Sequence, residues 1–191
     1  MKDAAAFAGI FWHNSPVVIV TSALKGKING QVAVTVVTSS IVPNKPRLMV
    51  GIWKGNYTHG FIIKNKTFNL HLLKKEQIEL VKNFGFYSGR DKNKFMGIDY
   101  FNGVNGCPVI HNVHSYAECK VINAMDGGDM TVFLVDVTFG DVFRGDYWMT
   151  LYDFYNTAPP DWIEEYNKKL QKSINYSISI IDNINHERFK Y

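Results

Sequence analysis

Cysteine is scarce in this chain. Only Cys107 and Cys119 occur among 191 residues, and their spacing fits neither a zinc site nor a redox pair. They read as two small buried thiols in a reducing compartment. No apolar run approaches the ~20 residues that a membrane-spanning helix needs. The opening segment, MKDAAAFAGIFW, has a short apolar part interrupted by His13 and Asn14, so no cleavable signal is expected. No basic block stands out. The net charge is only +4, and nothing favours nucleic acid. There is no internal repeat, no low-complexity tract, no nucleophile elbow, no Walker loop and no Rossmann glycine fingerprint. His13, His71, His111, His114 and His186 lack metal-ligand spacing, and Asp153, Glu164 and Glu165 form no acid/base pair. A cytoplasmic protein without membrane or nucleic-acid partners is expected.

What is present is a globular composition, with 46% hydrophobic and 20% charged residues. A chain of this length can bury a full core without staples. Residues 17–21 form a continuous apolar run suited to a strand buried on both faces. Residues 25–30 read as a turn, since Gly26 and the pair Asn29–Gly30 tolerate positive φ. Residues 31–38 alternate: Val32, Val34 and Val36 form a core face, whereas Ala33, Thr35 and Val37 leave space beside the strand. Further strands are expected at 47–53, 68–73, 116–122 and 130–137, with a short piece near Val142. Short helices are expected at 4–11, 59–64 (capped by Thr58) and 76–83 (closed by Gly85). Strands at short intervals with few helices indicate an antiparallel barrel or sandwich.

The character changes at Pro159–Pro160. Asp161 can cap a helix there, along which Ile163, Tyr166, Leu170, Ile174, Ile178, Ile181 and Ile184 recur at helical spacing. Such a stripe must pack on the barrel or on a second copy of the chain. The expected organisation is a barrel domain over 1–158 and an amphipathic helical extension over 159–191.

Three stretches can carry chemistry. Asn56, Thr58 and His59 lie where a strand gives way to a helix, an arrangement that presents backbone N–H groups and a helix dipole to an anion. Ser88, Arg90, Lys92 and Lys94 form a basic loop able to hold a phosphate through charge-assisted bonds. The edge of residues 31–40 shows small and hydroxylated side chains, so a flat ring can approach its backbone closely. Each stretch has an ordinary structural reading as well: a helix cap, a solvated loop and a half-buried strand.

The ordered segments GKINGQVAVTVVTSS, P-RLMVGIWKGNYTHGFI, FGFYSGRDKNKFMGIDY, G-PVI, YAECKVI and MTVFLVDV together resemble the flavin reductase-like, FMN-binding split-barrel family, in particular its flavoredoxin and high-molecular-weight rubredoxin type. The resemblance runs over residues 11–155. It implies a mainly β, antiparallel Greek-key split barrel, a homodimer, and FMN near the dimer interface. It implies that Asn29 and the run Thr35, Val36, Val37, Thr38, Ser39 and Ser40 lie along the isoalloxazine ring. Asn56, Thr58 and His59 would then stand near the ribityl phosphate, with Ser88, Arg90 and Lys94 also near the flavin. Two positions depart from the pattern. Met130 stands where members often carry His, which counts against nicotinamide use. Trp53 replaces a smaller polar residue and would stack near the ring or crowd it. The tail beyond Pro160 matches no family motif.

These readings lead to an FMN-dependent oxidoreductase that passes electrons through bound flavin to a protein, a metal ion or a second flavin. Backbone N–H groups near Thr35–Ser39 would stabilise charge on the reduced ring, and no side chain is assigned a proton-transfer role. An NAD(P)H-dependent flavin reductase and a non-catalytic binding module on the same fold are the alternatives.

Overall fold

The computed structural model describes residues 3–143 and 147–187. Its strands are β1 (Val18–Leu24), β2 (Lys27–Ala33), β3 (Thr35–Thr38), β4 (Arg47–Trp53), β5 (Thr67–Leu72), β6 (Tyr100–Asn102), β7 (Pro108–Ile110), β8 (Ser115–Asp126) and β9 (Met130–Val142). Its helices are α1 (Ala4–His13), α2 (Tyr57–Asn65), α3 (Ile78–Gly85), α4 (Leu151–Thr157) and α5 (Pro160–Ile178). Seven strands form one antiparallel sheet in the order β2-β1-β5-β8-β9-β4-β3, and β6 pairs with β7 separately.

That order dictates the curvature. β2 and β3 stand at opposite ends of the sheet, yet only Val34 lies between them. Seven strands side by side would spread their outer members ~29 Å apart, whereas the step from Ala33 to Thr35 covers at most ~7 Å. The sheet therefore curls until its two ends meet at that residue, giving a half-barrel. The connection from β4 to β5, carried by α2, skips β9 and β8 in the sheet order in Greek-key fashion, and α2 lies against β1, β2 and β5.

Two apolar clusters flank the sheet. β1 is buried on both faces, as its uninterrupted apolar run predicts. Val17 and Ile19 join Phe84, Phe86, Phe95, Phe154 and Trp162 in the first cluster, while Val18 and Val20 join Val50, Ile52, Phe68 and Phe133 in the second. Full burial of each large side chain contributes on the order of 1.5–3 kcal/mol. Cys107 and Cys119 are both buried free thiols. No helix among the described residues is long and apolar enough to cross a membrane.

Several local expectations need correction. The run 31–38 is not one strand. Val32 and Val34 pack on the first cluster, but Ala33 and Val36 pack on the second, so the alternation breaks at the kink. The turn is confined to Lys25 and Gly26, both at positive φ, with Leu24 opposite Lys27. Asn29 and Gly30 belong to β2 instead. Gly30 serves a close approach, because a Cβ there would lie 2.8 Å from the Phe84 ring. Thr58 does not cap α2. Asn56 holds that position, and Thr58 is fully buried inside the first turn. Gly85 lies within α3, with Phe86 following as its C-cap. Asp161 sits in the first turn of α5 behind the cap residue Pro159.

α4 went unpredicted. A reciprocal capping box, Thr150 with Asp153, starts it. Trp162, Ile163 and Tyr166 pack into the first cluster, whereas Ile174 and Ile178 are exposed. Helix α5 ends at Ile178, so Ile181 and Ile184 lie beyond it. Residues 188–191 of the expected extension lie outside the described residues.

After α5 the chain rests on the β8–β9 turn. Gly128 has φ +85°, and a Cβ there would collide with the carbonyl of Ile181. Asn185 N–H donates to Asp126 at 3.3 Å, and Asp126 also pairs with Lys54 at 2.5 Å. Gly128→Ala is expected to lose at least ~1 kcal/mol from the left-handed backbone alone. Denaturant unfolding checks this; an unchanged midpoint would contradict both the backbone cost and the contact with Ile181.

Candidate functional site

A cavity of about 280 Å³ opens where β2, the start of α2, the 85–90 loop and the middle of α5 converge. Each wall has a local cause. β4 ends at Trp53, and Lys54–Gly55 turns the chain into α2 with Asn56 at the cap. Asn29 on β2 donates from Nδ2 to the Thr58 hydroxyl at 2.8 Å, away from solvent, which fixes strand to helix. The loop is folded on Ser88, whose hydroxyl accepts from Arg90 N–H at 3.2 Å. Gly89 lets the loop press on β2, since a Cβ there would collide with the Asn29 side chain.

Lys94 closes the back of the cavity. Its ammonium donates to the carbonyls of Gly30 and Phe84, each at 2.8 Å. The residue is only 5% exposed, and burial pushes its pKa down to about 8. Arg90 stands at the rim. Its guanidinium donates to the Gly55 carbonyl at 3.3 Å and lies 4.9 Å from the centre of the Tyr57 ring. A second hollow of about 410 Å³ shares Asn29, Tyr57, Gly89, Arg90 and Lys94 with the first.

The cavity lining holds four cations, Arg90, Lys94, Lys169 and Lys172, and no carboxylate. It also holds Gln31, which is 4% exposed and whose side-chain oxygen has no partner. A space with surplus positive charge and an unmatched acceptor suits an anion that also carries hydroxyl or N–H donors.

Seven of the residues singled out from sequence meet here: Asn29, Trp53, Asn56, Thr58, Ser88, Arg90 and Lys94. The others do not line this cavity. His59 points instead to the Thr131 hydroxyl at 2.9 Å; burial, followed by the charge of Lys54, lowers its pKa. Thr35, Val36, Val37 and Thr38 form the edge strand β3, on the far side of the kink at Val34. Val36 lines a separate apolar cavity of about 710 Å³ with Val18, Leu48, Leu70 and Trp148. The Ser39 hydroxyl is buried without a partner, and Ser40 accepts from Val42 N–H at 3.1 Å. Thr35 and Met130 both pack over Gly51. Trp53 leans toward α5, where its indole N–H donates to Ser177 at 2.9 Å. Among the described residues, no three His, Cys, Asp or Glu side chains cluster as metal ligands would.

Sequence reasoning placed Gln31 only as the start of the 31–40 edge and missed Tyr57, Lys169, Lys172 and Ser173. The three residues of α5 carried a signal. Lys169 stands three and four residues before the other two, so they share one helix face beside the apolar stripe that drew the attention.

A curled antiparallel half-barrel with a basic cavity at one rim defines a class of small barrel proteins. The chain belongs to the flavin reductase-like domain family, whose model matches residues 8–157. It is 34% identical to a high molecular weight rubredoxin of Moorella thermoacetica over 72% of this chain and 60% of that protein. The match thus spans less than two thirds of that relative's length. It is 30% identical to a ferric-chelate reductase (NAD(P)H) of Archaeoglobus fulgidus over 72% of this chain and 81% of that protein. Among solved structures, an FMN-binding protein from Thermus thermophilus shares the fold with a TM-score of 0.64 and 24% identity, over 71% of this chain and 75% of that one.

The burial of Lys94 gives a pH test. The unfolded chain holds this proton to about pH 10.5 and the folded protein only to about 8. Between those values the unfolded state binds more protons, so folding stability rises with pH. Wild type should gain on the order of 1–3 kcal/mol from pH 7.5 to 10 relative to Lys94→Met. Parallel urea titrations check this; equal pH responses of the two proteins would contradict it.

Proposed function

We propose that this chain is an FMN-binding oxidoreductase that carries electrons through its flavin to a protein, metal or flavin acceptor. The observation that carries the reading is the rim cavity of a flavin reductase-like domain, with four cations, no carboxylate, and Gln31 holding an unmatched acceptor. Bound flavin would supply the hydride and electron chemistry. The chain's own residues bind and orient it. Ser88 and Arg90, backed by Lys94, would hold the phosphate, with Asn56 at the start of α2 adding a helix terminus. Asn29, Thr58 and Gln31 would contact the neighbouring hydroxyls. The free edge of β3, from Thr35 to Thr38 and on through Ser39 and Ser40, would offer backbone donors to the ring.

The fit is supported by two buried unpaired polar atoms, Gln31 Oε1 and Ser39 Oγ. They stand on the two segments assigned to the cofactor, and a ligand would satisfy them. The open apolar cavity lined from β1, β3, β4, β5, β8 and β9 supports pairing of two copies, which would cover Val36, Leu48 and Val137. The name of the Archaeoglobus relative supports a nicotinamide donor and a ferric acceptor as the second reading. Met130, at the head of β9, counts against it.

Purified protein soaked in FMN and desalted should retain a flavin absorption band. Arg90→Ala should lower FMN affinity by ~1.5–3 kcal/mol, tenfold or more, in a fluorescence titration. Anaerobic mixing with NADH or NADPH then decides the donor. A colourless protein after soaking would overturn the cofactor reading, and unchanged affinity in the variant would remove Arg90 from the phosphate.

A further inference from the structure

We propose that α5 contributes an anion-binding residue to the cavity: Lys172, acting beside Arg90, receives the phosphate monoester of the bound flavin nucleotide. The inference rests on the flavin reading of the cavity. It goes beyond the family resemblance, because the family model ends at residue 157 and α5 begins at Pro160.

α5 is held at both ends. Its first turns sink Trp162 into the first apolar cluster, with Ile163 and Tyr166 packed alongside. Near its far end, Ser177 accepts from the Trp53 indole at 2.9 Å, and Tyr176 meets the same ring edge-on at 5.7 Å. Beyond the helix, Ile181 packs on Gly128. The span between these anchors crosses the cavity and sets Lys169, Lys172 and Ser173 in its wall.

The lysines and the arginine are not equivalent. Lys94 is committed to two carbonyls. Lys169 is committed to the Phe86 carbonyl and to Glu165, the latter at 2.9 Å. Arg90 spends one donor on Gly55 at 3.3 Å. Lys172 has no hydrogen-bond or ion-pair partner among the described residues, and no acidic side chain lines the cavity to neutralise it. Holding like charges together costs free energy that a phosphate dianion would return. An independent observation points to the same ligand. Gln31 presents an acceptor with no partner in the chain in the same space, which an occupant with donor groups as well as negative charge would satisfy. A phosphorylated polyhydroxy chain has both.

The test titrates wild type, Lys172→Gln and Lys172→Arg with FMN and with riboflavin, which lacks the phosphate, following flavin fluorescence. Inorganic phosphate serves as competitor. Lys172 is solvent-exposed, so the variants should keep the wild-type melting curve. Lys172→Gln should weaken FMN about tenfold, with riboflavin affinity within about twofold of wild type. Lys172→Arg should restore FMN binding. The gap between wild type and Lys172→Gln should narrow as salt rises. Inorganic phosphate should displace FMN from wild type more effectively than from Lys172→Gln. Unchanged FMN affinity in Lys172→Gln, or equal losses for FMN and riboflavin, would overturn the assignment while leaving the flavin reading intact. A wild-type protein that binds neither flavin would overturn that reading and this one with it.

Discussion

The buried ammonium of Lys94 holds the site together. Taking a charge out of water is costly, and an isolated one would give up its proton. Here two carbonyls receive it, from Gly30 on β2 and Phe84 near the end of α3. The second lies at a helix C-terminus, where the dipole favours a cation. The same two residues meet again through their other atoms. The Phe84 ring lies where a side chain on Gly30 would stand, so strand and helix pack without a gap. One lysine thus fastens the end of the basic loop, the back strand of the cavity and the helix before it. The bond from Asn29 to Thr58 extends the tie to α2. Arg90 and Ser88 inherit their positions from that frame.

Much of the fold was legible because the strands obey simple periodicity. Arg47–Trp53 is a strand with the boundaries its β-branched run suggests, and Phe68, Leu70 and Leu72 share an apolar face of β5 as alternation requires. Failures occurred where a residue serves a tertiary purpose that imitates a local one. Asn29–Gly30 has the composition of a hairpin turn, but the glycine is there for the Phe84 ring. Thr58 has the chemistry of a helix cap, but its hydroxyl is spent on Asn29. The break at Val34 has no compositional mark at all, since Val32, Val34 and Val36 continue the pattern through it. Only closure of the sheet reveals that the chain passes there from one edge to the other.

The same break explains why the candidate site was legible only in part. Asn56, Ser88 and Arg90 sit at a cap or in a loop whose chemistry is local, and they converge with the buried Thr58 and Lys94 on one cavity. Thr35–Ser40 lies close to Asn29 in sequence but across the kink, on the edge of the half-barrel. Helix α5 was read for its apolar stripe, which accounts for Trp162, Ile163 and Tyr166. Its polar face had no visible partner in a one-dimensional pattern. Lys169 and Lys172 gain meaning only when Trp53 and Gly128 draw the C-terminal half across the cavity mouth.

The cavity therefore joins two kinds of positive charge with different physics. Lys94 is dry, fixed and already satisfied, so it shapes the space and contributes field more than a new bond. Arg90 and Lys172 are exposed and screened by salt, so each alone is worth little to an ion in water. They line one cavity together with the neutral polar residues of β2 and α2. Such a division lets a barrel keep a rigid cofactor frame while its exposed edge is altered at small cost in stability. α5 joins that frame through Trp162, Ile163 and Tyr166 in the first cluster, while Lys172 stays on its exposed face.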